Sequence, residues 1–250
     1  MTATPPQLHG RGQTATRRLL VTVQDPETKA YRPVGFLRYD GDQYTFAYLR
    51  REREREGFRP LPGLARAADG PLRSATLFPL FAERVISSRR PDRELSMDAL
   101  GLPLDAEPME VLARSHGQRV GDLIELLPAP EAAAGQVVDF TFLAHGVRYL
   151  TKAEQDRICA LRAGDQLLLR RDVENPVNRR AYLVTDLEDA RLGWLPDPLI
   201  NVVDSMEDRQ LAVERANGPE VGFHFRLLVW FSGTVSRDRP LSTGPQWETV

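Results

Sequence analysis

The amino-acid sequence predicts an α+β fold of two domains, in which a domain of a β-hairpin and helices precedes a small β-barrel. The chain has 250 residues, which at about 150 residues per domain allows two modest domains. Strand-like segments dominate the second half without alternating regularly with helices, so a parallel βαβ sheet is not expected. A stretch rich in alanine and proline, residues 128–135, separates the two halves and is the predicted boundary.

Composition excludes several classes of protein. Thirty-three basic and 35 acidic residues give a net charge of −2, which argues against a polybasic nucleic-acid binder. A hydrophobic content of 42% is sufficient for a real core. The single cysteine, Cys159, cannot form an internal disulfide, and the four histidines lack the spacing of metal ligands, so neither a metal nor another cofactor is expected. No signal peptide or membrane-spanning apolar run is visible, so a cytoplasmic protein without a membrane partner is expected.

The first half begins with residues 1–16, a polar segment expected to be a flexible leader, and its predicted domain covers residues 17–130. Branched residues at 19–23 predict the first strand. Residues 34–39 and 44–48 flank an Asp-Gly step, which predicts a β-hairpin because glycine readily adopts the positive φ of a tight turn. The alternating charges of residues 50–56 predict a solvated face or loop rather than a phosphate-binding arm.

Helices follow in the first half. Apolar residues at helical spacing over 75–88 predict one helix, with Pro79 in its first turn. Ser96 is the predicted N-cap of a second helix. Pro108 begins a third, which ends at Gly117. Residues 123–127 are the last predicted strand of this half.

The second half is rich in predicted strands. Its predicted domain covers residues 137–235 and is followed by a tail over residues 236–250. Thr151 and Glu154 form a capping box, which predicts a helix that runs to Gly164. Pro196 and Pro198 predict a short helix. The predicted strands cover residues 137–144, 166–171, 182–185, 191–195, 211–215 and 223–231.

The sequence contains no recognisable catalytic motif, and we do not expect an enzyme. Asp186, Glu188 and Asp189 resemble a metal-dependent nuclease site only superficially, because acidic residues are also favoured in turns. Cys159 lies among apolar residues of a predicted helix, so we expect a buried side chain rather than a nucleophile. His145 lies next to a candidate binding segment and could contact a ligand.

Residues 137–205 resemble the HIRAN domain family. The resemblance depends on the segments 146–149 (Gly-Val-Arg-Tyr), 161–164, 168–178, 181–184 and 192–196. Within them, Arg-Asp-x-x-Asn-Pro followed by an apolar strand and Leu-Gly-x-Leu-Pro is specific in combination. The match covers about a quarter of the chain, and it implies a barrel similar to the OB fold that binds single-stranded DNA or a DNA end.

The resemblance implies that Arg148 contacts a phosphate, that Tyr149 stacks on a base and that the Asn175-Pro176 turn forms one wall of a pocket. Val177 and Asn178 replace the tyrosine and aspartate of that turn in the family, and Trp194 replaces a histidine, so we expect Trp194 to supply stacking. Two alternatives remain. Tyr149 and Trp194 could be aromatic residues of the barrel core, and Asn175 could serve only to form a turn. The predicted nucleic-acid-binding residues are Arg148, Tyr149, Arg171, Asn175, Asn178, Arg179 and Trp194.

The first half resembles, more weakly, the N-terminal subdomain of HipA-like toxins. Residues 34–48 resemble the opening hairpin of that subdomain, and residues 77–81 its next helix. That subdomain accompanies a protein kinase, but no kinase motif is present here, so a separately encoded kinase or a helicase is an expected protein partner. The alternative to DNA binding is therefore a protein-interaction or regulatory subunit of a kinase or DNA-processing complex.

Overall fold

A computed structural model describes residues 18–119, 121–238, 241 and 244–250. The predicted leader, residues 1–16, lies outside the described residues. The described chain is a mixed α+β structure of two antiparallel sheets. None of the helices within these ranges is long and apolar enough to cross a membrane.

The first sheet has five antiparallel strands in the order β4-β3-β2-β1-β5. They are β1 (Arg18–Gln24), β2 (Tyr31–Tyr39), β3 (Tyr44–Tyr48), β4 (Leu72–Ser74) and β5 (Ile124–Pro128). The hairpin prediction is confirmed. Asp40 Oδ1 accepts hydrogen bonds from the backbone N–H groups of Asp42 and Gln43, and Gly41 has a φ of 106°. Strand β4 was not predicted.

The helices of this half are short: α1 (Arg50–Arg53), α2 (Pro79–Ala82), α3 (Arg93–Ala99) and α4 (Pro108–Ser115). The predicted helix over 75–88 is wrong, since only Pro79–Ala82 is α-helical. Phe78 and Phe81 pack in one apolar cluster, whereas Ile86 packs in another, so these residues do not form one stripe. Ser96 lies inside α3 rather than at its N-cap, which is Asp92.

The charged run at residues 50–56 is not simply a solvated face, as the alternating charges predicted. Arg50–Arg53 form helix α1, and Glu52 is buried. Its carboxylate forms ion pairs with Arg32 of β2 and, at 3.1 Å, with Arg55. A buried carboxylate is tolerated here because two guanidinium groups neutralise it.

The second sheet has six antiparallel strands in the order β6-β11-β10-β7-β8-β9. They are β6 (Val137–Leu143), β7 (Gln166–Arg171), β8 (Tyr182–Thr185), β9 (Arg191–Trp194), β10 (Met206–Ala216) and β11 (Leu227–Val235). Helix α5 (Lys152–Ala160) follows β6, and α6 (Ile200–Asp204) follows β9. His145, just after β6, and Trp194 of β9 form an isolated antiparallel bridge, so the two edges of the sheet meet and the sheet is a half-barrel.

Three details of the second half differ from prediction. Helix α5 ends at Ala160, short of Gly164. The predicted strand 223–231 begins instead as the 3₁₀ turn Phe223–Phe225, and β11 starts at Leu227. Cys159 is exposed, because the buried face of this short helix is occupied by Ile158.

The two halves pack directly against each other. Leu143 and Leu228 of the half-barrel share an apolar cluster with Met97, Leu100 and Val111 of the first half. Near the end of the chain, Glu248 O accepts a hydrogen bond from Arg50 N (2.7 Å), and Val250 N donates to Tyr48 O (3.1 Å). This packing brings β5 of the first sheet alongside β6 and the residues that follow it.

Candidate functional site

The bridge that closes the half-barrel also positions the predicted binding residues. His145 and Trp194 exchange two backbone hydrogen bonds of 2.8 and 2.9 Å, so their side chains lie on the same face of the ladder. The next residue, Gly146, has a φ of 73°, and a Cβ atom there would lie 2.5 Å from Trp194 Cε3. The Trp194 ring therefore packs directly on the backbone of the turn that leads to Arg148 and Tyr149.

Arg148 and Tyr149 form an exposed pair in the 3₁₀ turn Val147–Tyr149. Tyr149 is 71% exposed, so it is not a core aromatic. The Arg148 guanidinium donates to the Tyr149 hydroxyl (Nη2–Oη 2.6 Å) and lies 4.7 Å from the ring centroid. An exposed ring with an adjacent cation can stack on a base and contact a phosphate.

The loop after β7 is linked to the same turn through Asp172. Asp172 Oδ2 accepts hydrogen bonds from Trp194 Nε1 (2.8 Å) and from Asn175 Nδ2 (3.1 Å). Asn175 Oδ1 accepts from the backbone N–H groups of Val177 and Asn178 (3.0 and 3.1 Å). The Asn178 side chain in turn accepts from Arg180 N at 2.9 Å. Asn175 and Asn178 thus shape the loop with the polar atoms that a ligand would otherwise use.

Arg171 belongs to a different cluster. Its Nη2 donates to Asp204 Oδ1 at 2.7 Å, and its guanidinium lies 3.9 Å from the centroid of the Tyr182 ring. Burial opposes ionisation of Asp204, but hydrogen bonds from Tyr182, Arg180 and Arg171 outweigh it and hold the pKa of the carboxyl below its usual value. Arg171 is therefore paired with a carboxylate within the protein, which it shares with Arg180.

Arg179 differs from Arg171. It is exposed and forms no ion pair with the carboxylates of the described chain. The structure therefore connects Arg148, Tyr149, Trp194 and the Asn175 loop, leaves Arg179 accessible on that loop, and commits Arg171 to Asp204.

Asp186, considered above only as part of a nuclease-like cluster, has a local structural role. Its carboxylate pairs with Arg157 (2.7 Å) and accepts hydrogen bonds from the backbone of Glu188 and Ala190. These bonds lower the pKa of Asp186 although burial opposes them. These partners account for the conformation of the turn that contains Asp186.

A buried polar cluster that the sequence analysis missed lies directly behind the Gly146 turn. Glu125 of β5 receives His116 Nδ1 and His145 Nε2 on the same oxygen, Oε1, at 2.8 and 2.7 Å. Gln118 Nε2 approaches the same atom at 3.2 Å. His116 is fully buried, whereas the His145 side chain is 20% exposed. We call Glu125, His116 and His145 the junction cluster, because they join the two sheets.

Further charges surround the junction cluster. Burial and the charge of Glu125 raise the pKa of Tyr31, a residue of β2 whose ring centroid lies 5.8 Å from that of His145. Asp197, from the 3₁₀ turn Asp197–Leu199, raises it further, and Arg148 lowers it. Tyr31 thus lies between the charges of the junction cluster and that of Arg148.

The junction cluster has the donor atoms of a metal site, since one atom from each of its residues lies within 4.8 Å of the others. Its geometry is nevertheless that of hydrogen bonds. Ligands of a tetrahedral zinc ion at about 2.0–2.1 Å lie about 3.3 Å apart, longer than the observed N–O separations. In addition, Leu143 N donates to His116 Nε2 at 3.2 Å, which leaves the proton on Nδ1, the atom that would have to bind the metal. The residues do not fit a metal.

One sequence signal could have drawn attention to this cluster. Glu125 interrupts an otherwise apolar strand, which is unusual for an unpaired carboxylate. His116 gave no such signal, because the sequence predicts that Gly117 ends the helix, whereas in the structure His116 has the left-handed φ of 56° at the end of α4. Because the three residues lie on both sides of the predicted boundary at 128–135, the sequence did not indicate that they would meet.

Comparisons with known proteins do not identify a family. No protein-family model matches the chain, and no curated protein matches it. A crystal structure of a protein from Lactobacillus plantarum is 23% identical over 39% of this chain and 97% of that chain, with a TM-score of 0.30. A likeness at that level carries no argument about function.

Proposed function

We propose that this protein binds single-stranded DNA or a DNA end through the surface formed by Arg148, Tyr149, Trp194 and Arg179. The observation that carries the proposal is the exposed Tyr149 ring, held by Arg148 on a turn that Trp194 supports. An aromatic ring exposed to this extent gains from burial against a base, and stacking of this kind contributes about 1–3 kcal/mol per base.

The proposal includes the finer fold assignment. We assign the half-barrel to the HIRAN type, which is similar to the OB fold. Two features support this assignment: the bridge that closes the half-barrel lies next to the binding turn, and residues 137–205 resemble that family. The same proposal relates the first half to the N-terminal subdomain of HipA-like toxins. This part has weaker support.

Charge limits the expected affinity. Arg171 is held by an ion pair with Asp204, so we expect Arg148 and Arg179 to be the main phosphate contacts. Two contacts correspond to a slope of about −1.4 in a plot of log affinity against log salt for a single strand. We expect a dissociation constant of about 10⁻⁶–10⁻⁴ M that changes little with salt.

Fluorescence anisotropy with short labelled oligonucleotides tests the proposal. Tyr149→Ala should weaken binding by about five- to 150-fold, the equivalent of one stacked base, whereas Tyr149→Phe should retain it. Arg148→Ala should reduce the salt slope by about 0.7. Strands with free and blocked 3′ ends show whether an end is recognised.

Arg59→Ala is the matched control, because Arg59 is an exposed arginine of the first half. It should leave both affinity and salt slope unchanged. The proposal is wrong if the intact protein binds no oligonucleotide at low salt, or if Tyr149→Ala and Arg59→Ala behave alike.

A protein partner is a second candidate, supported by a different observation. Val173 and Val177, in the loop that contains Asn175, are 66% and 54% exposed. Exposed valines suit an apolar polypeptide surface better than a phosphate backbone. Capture of a kinase or helicase that is lost in Val177→Asp, together with absent oligonucleotide binding, would favour this candidate.

A further inference from the structure

The junction cluster connects the first sheet to the turn that carries Arg148 and Tyr149. Glu125 belongs to β5, at the edge of the first sheet, while His145 immediately precedes Gly146. The only side-chain hydrogen bond that the described structure gives the His145 ring is to Glu125. The orientation of that ring, and with it the start of the turn, therefore depends on a carboxylate from the other half.

The proton positions in the cluster follow from the hydrogen bonds. Because Leu143 N donates to His116 Nε2, His116 must be the neutral tautomer with its proton on Nδ1, which donates to Glu125. His116 thus contributes a hydrogen bond but no charge. The negative charge of the buried carboxylate is left for His145 to balance.

The surrounding groups are consistent with this division. The groups that act on His145 are Glu125 of β5, Asp197, and the rings of His116 and of Tyr31 of β2. Gln118 contacts the Glu125 carboxylate, and the charge of Arg148 acts on Tyr31. Burial alone would lower the pKa of His145, but the charge and hydrogen bond of Glu125, and then the charge of Asp197, raise it above the usual value. Burial lowers the pKa of His116, and the hydrogen bond with Glu125 raises it. The effect of burial is larger, so the pKa of His116 lies below its usual value.

We infer that Glu125 is a positioning residue for the Gly146–Tyr149 turn, and that it acts through an ion pair with His145. The first sheet thereby determines how well the ligand surface of the half-barrel is ordered. The consequence for DNA binding rests on the proposed function, but the ion pair and the order of the turn do not.

The variant Glu125→Gln tests this inference, since it keeps an oxygen and the side-chain shape but removes the charge. We expect NMR titration of the histidine rings to show the pKa of His145 above about 6.5 in the wild type and at or below that value in the variant. Hydrogen exchange of the amides of residues 145–150 should become at least about threefold faster. Oligonucleotide binding at pH 6 should weaken about fivefold.

The control is Glu131→Gln, which removes an exposed carboxylate that pairs with Arg18 and Arg38. It should leave His145 and the turn unchanged. If Glu125→Gln does not fold, a pH series of hydrogen exchange on the wild type tests the inference instead. Exchange of residues 145–150, corrected for its intrinsic pH dependence, should then accelerate over the same pH range in which His145 loses its proton.

The inference is overturned if His145 titrates alike in the wild type and Glu125→Gln, or if exchange of the turn does not follow the charge of His145. A wild type that binds no oligonucleotide contradicts the proposed function alone, because the NMR and exchange measurements need no ligand. A variant that loses turn order but binds normally would support the positioning of the turn and refute only its consequence for DNA binding.

Discussion

Gly146 shows at the scale of one residue how the site depends on backbone geometry. Its φ of 73° lies in the left-handed region, and the Trp194 ring occupies the space of a potential side chain. The Trp194 ring can pack against this turn only because Gly146, the residue after its bridge partner His145, has no Cβ. A motif that begins with glycine thus encodes both a turn and a packing surface.

Gly146→Ala should therefore destabilise the protein by about 2–4 kcal/mol, from the strained φ and the clash with Trp194 together. Chemical denaturation measures the loss. The matched control is Gly164→Ala, whose φ of 91° is also positive but whose Cβ would have no neighbour within 4 Å. A larger loss in Gly146→Ala isolates the contact with Trp194, and equal losses would show that the ring moves aside without cost.

Much of the site could be predicted from the sequence at this scale, and part of it could not. The adjacency of Arg148 and Tyr149 is local, so a short motif was enough to indicate it. The commitment of Arg171 to Asp204 depends on a residue 33 positions away on a separate helix, and no local pattern encodes that distance. The junction cluster required contacts across the predicted boundary and escaped prediction for the same reason.

At the scale of elements, local signals were reliable where a side chain bonds to its own backbone neighbourhood. The capping box at Thr151 was predicted and is present in full, with Thr151 Oγ1 accepting from Glu154 N at 3.3 Å and the Glu154 carboxylate accepting from Thr151 N. Apolar spacing alone was less reliable. The predicted helix over 75–88 failed because its apolar residues serve two different clusters.

Thr151→Ala should cost about 1 kcal/mol of stability, because Glu154 N loses its acceptor and the Glu154 carboxylate loses the hydroxyl that helps to order it. Glu154 also pairs with Arg191 of β9 at 2.6 Å, so the cap fastens the helix to the half-barrel. Urea unfolding of Thr151→Ala, Glu154→Gln and the double variant should show losses that do not add. Additive losses would mean that the two halves of the box act independently.

At the scale of the whole molecule, the two sheets behave as one packed body around a shared apolar cluster and the junction cluster. A boundary predicted from the composition of residues 128–135 says nothing about the surfaces on either side of it. Those surfaces combine the apolar cluster with polar contacts that include the junction cluster and an ion pair between Arg114 and Glu214 at 3.1 Å. Because the junction cluster lies between the two halves, their packing depends on the protonation of its histidines.

The two histidines of the junction cluster respond to pH in opposite directions. The folded protein raises the pKa of His145, so the stabilisation from its charged form is complete below about 6.5, the ordinary histidine value, and is lost as pH rises through the raised pKa. The pKa of His116 is lowered, so its contribution is complete above that ordinary value and is lost as pH falls below it. Burial opposes ionisation of Glu125, but the charge of His145 and the hydrogen bonds from both histidines lower its pKa. This stabilisation is therefore lost when pH falls below the ordinary range of a carboxyl.

We therefore expect the free energy of unfolding, measured in urea from about pH 5 to about pH 9, to decline on both sides of a maximum near neutrality.

The decline on the alkaline side is caused by deprotonation of His145, so His145→Gln should make that side of the profile flatter. The variant should also lower the free energy of unfolding at the maximum, because Glu125 then lacks its counter-charge. The acidic decline, which His116 causes below about pH 6.5, should persist in that variant. Glu131→Gln should leave the curvature on both sides unchanged, since Glu131 is exposed and pairs with Arg18 and Arg38 rather than with the cluster. An alkaline limb of equal steepness in wild type and His145→Gln would mean that another group carries it, and that the ion pair across the two halves does not control their packing.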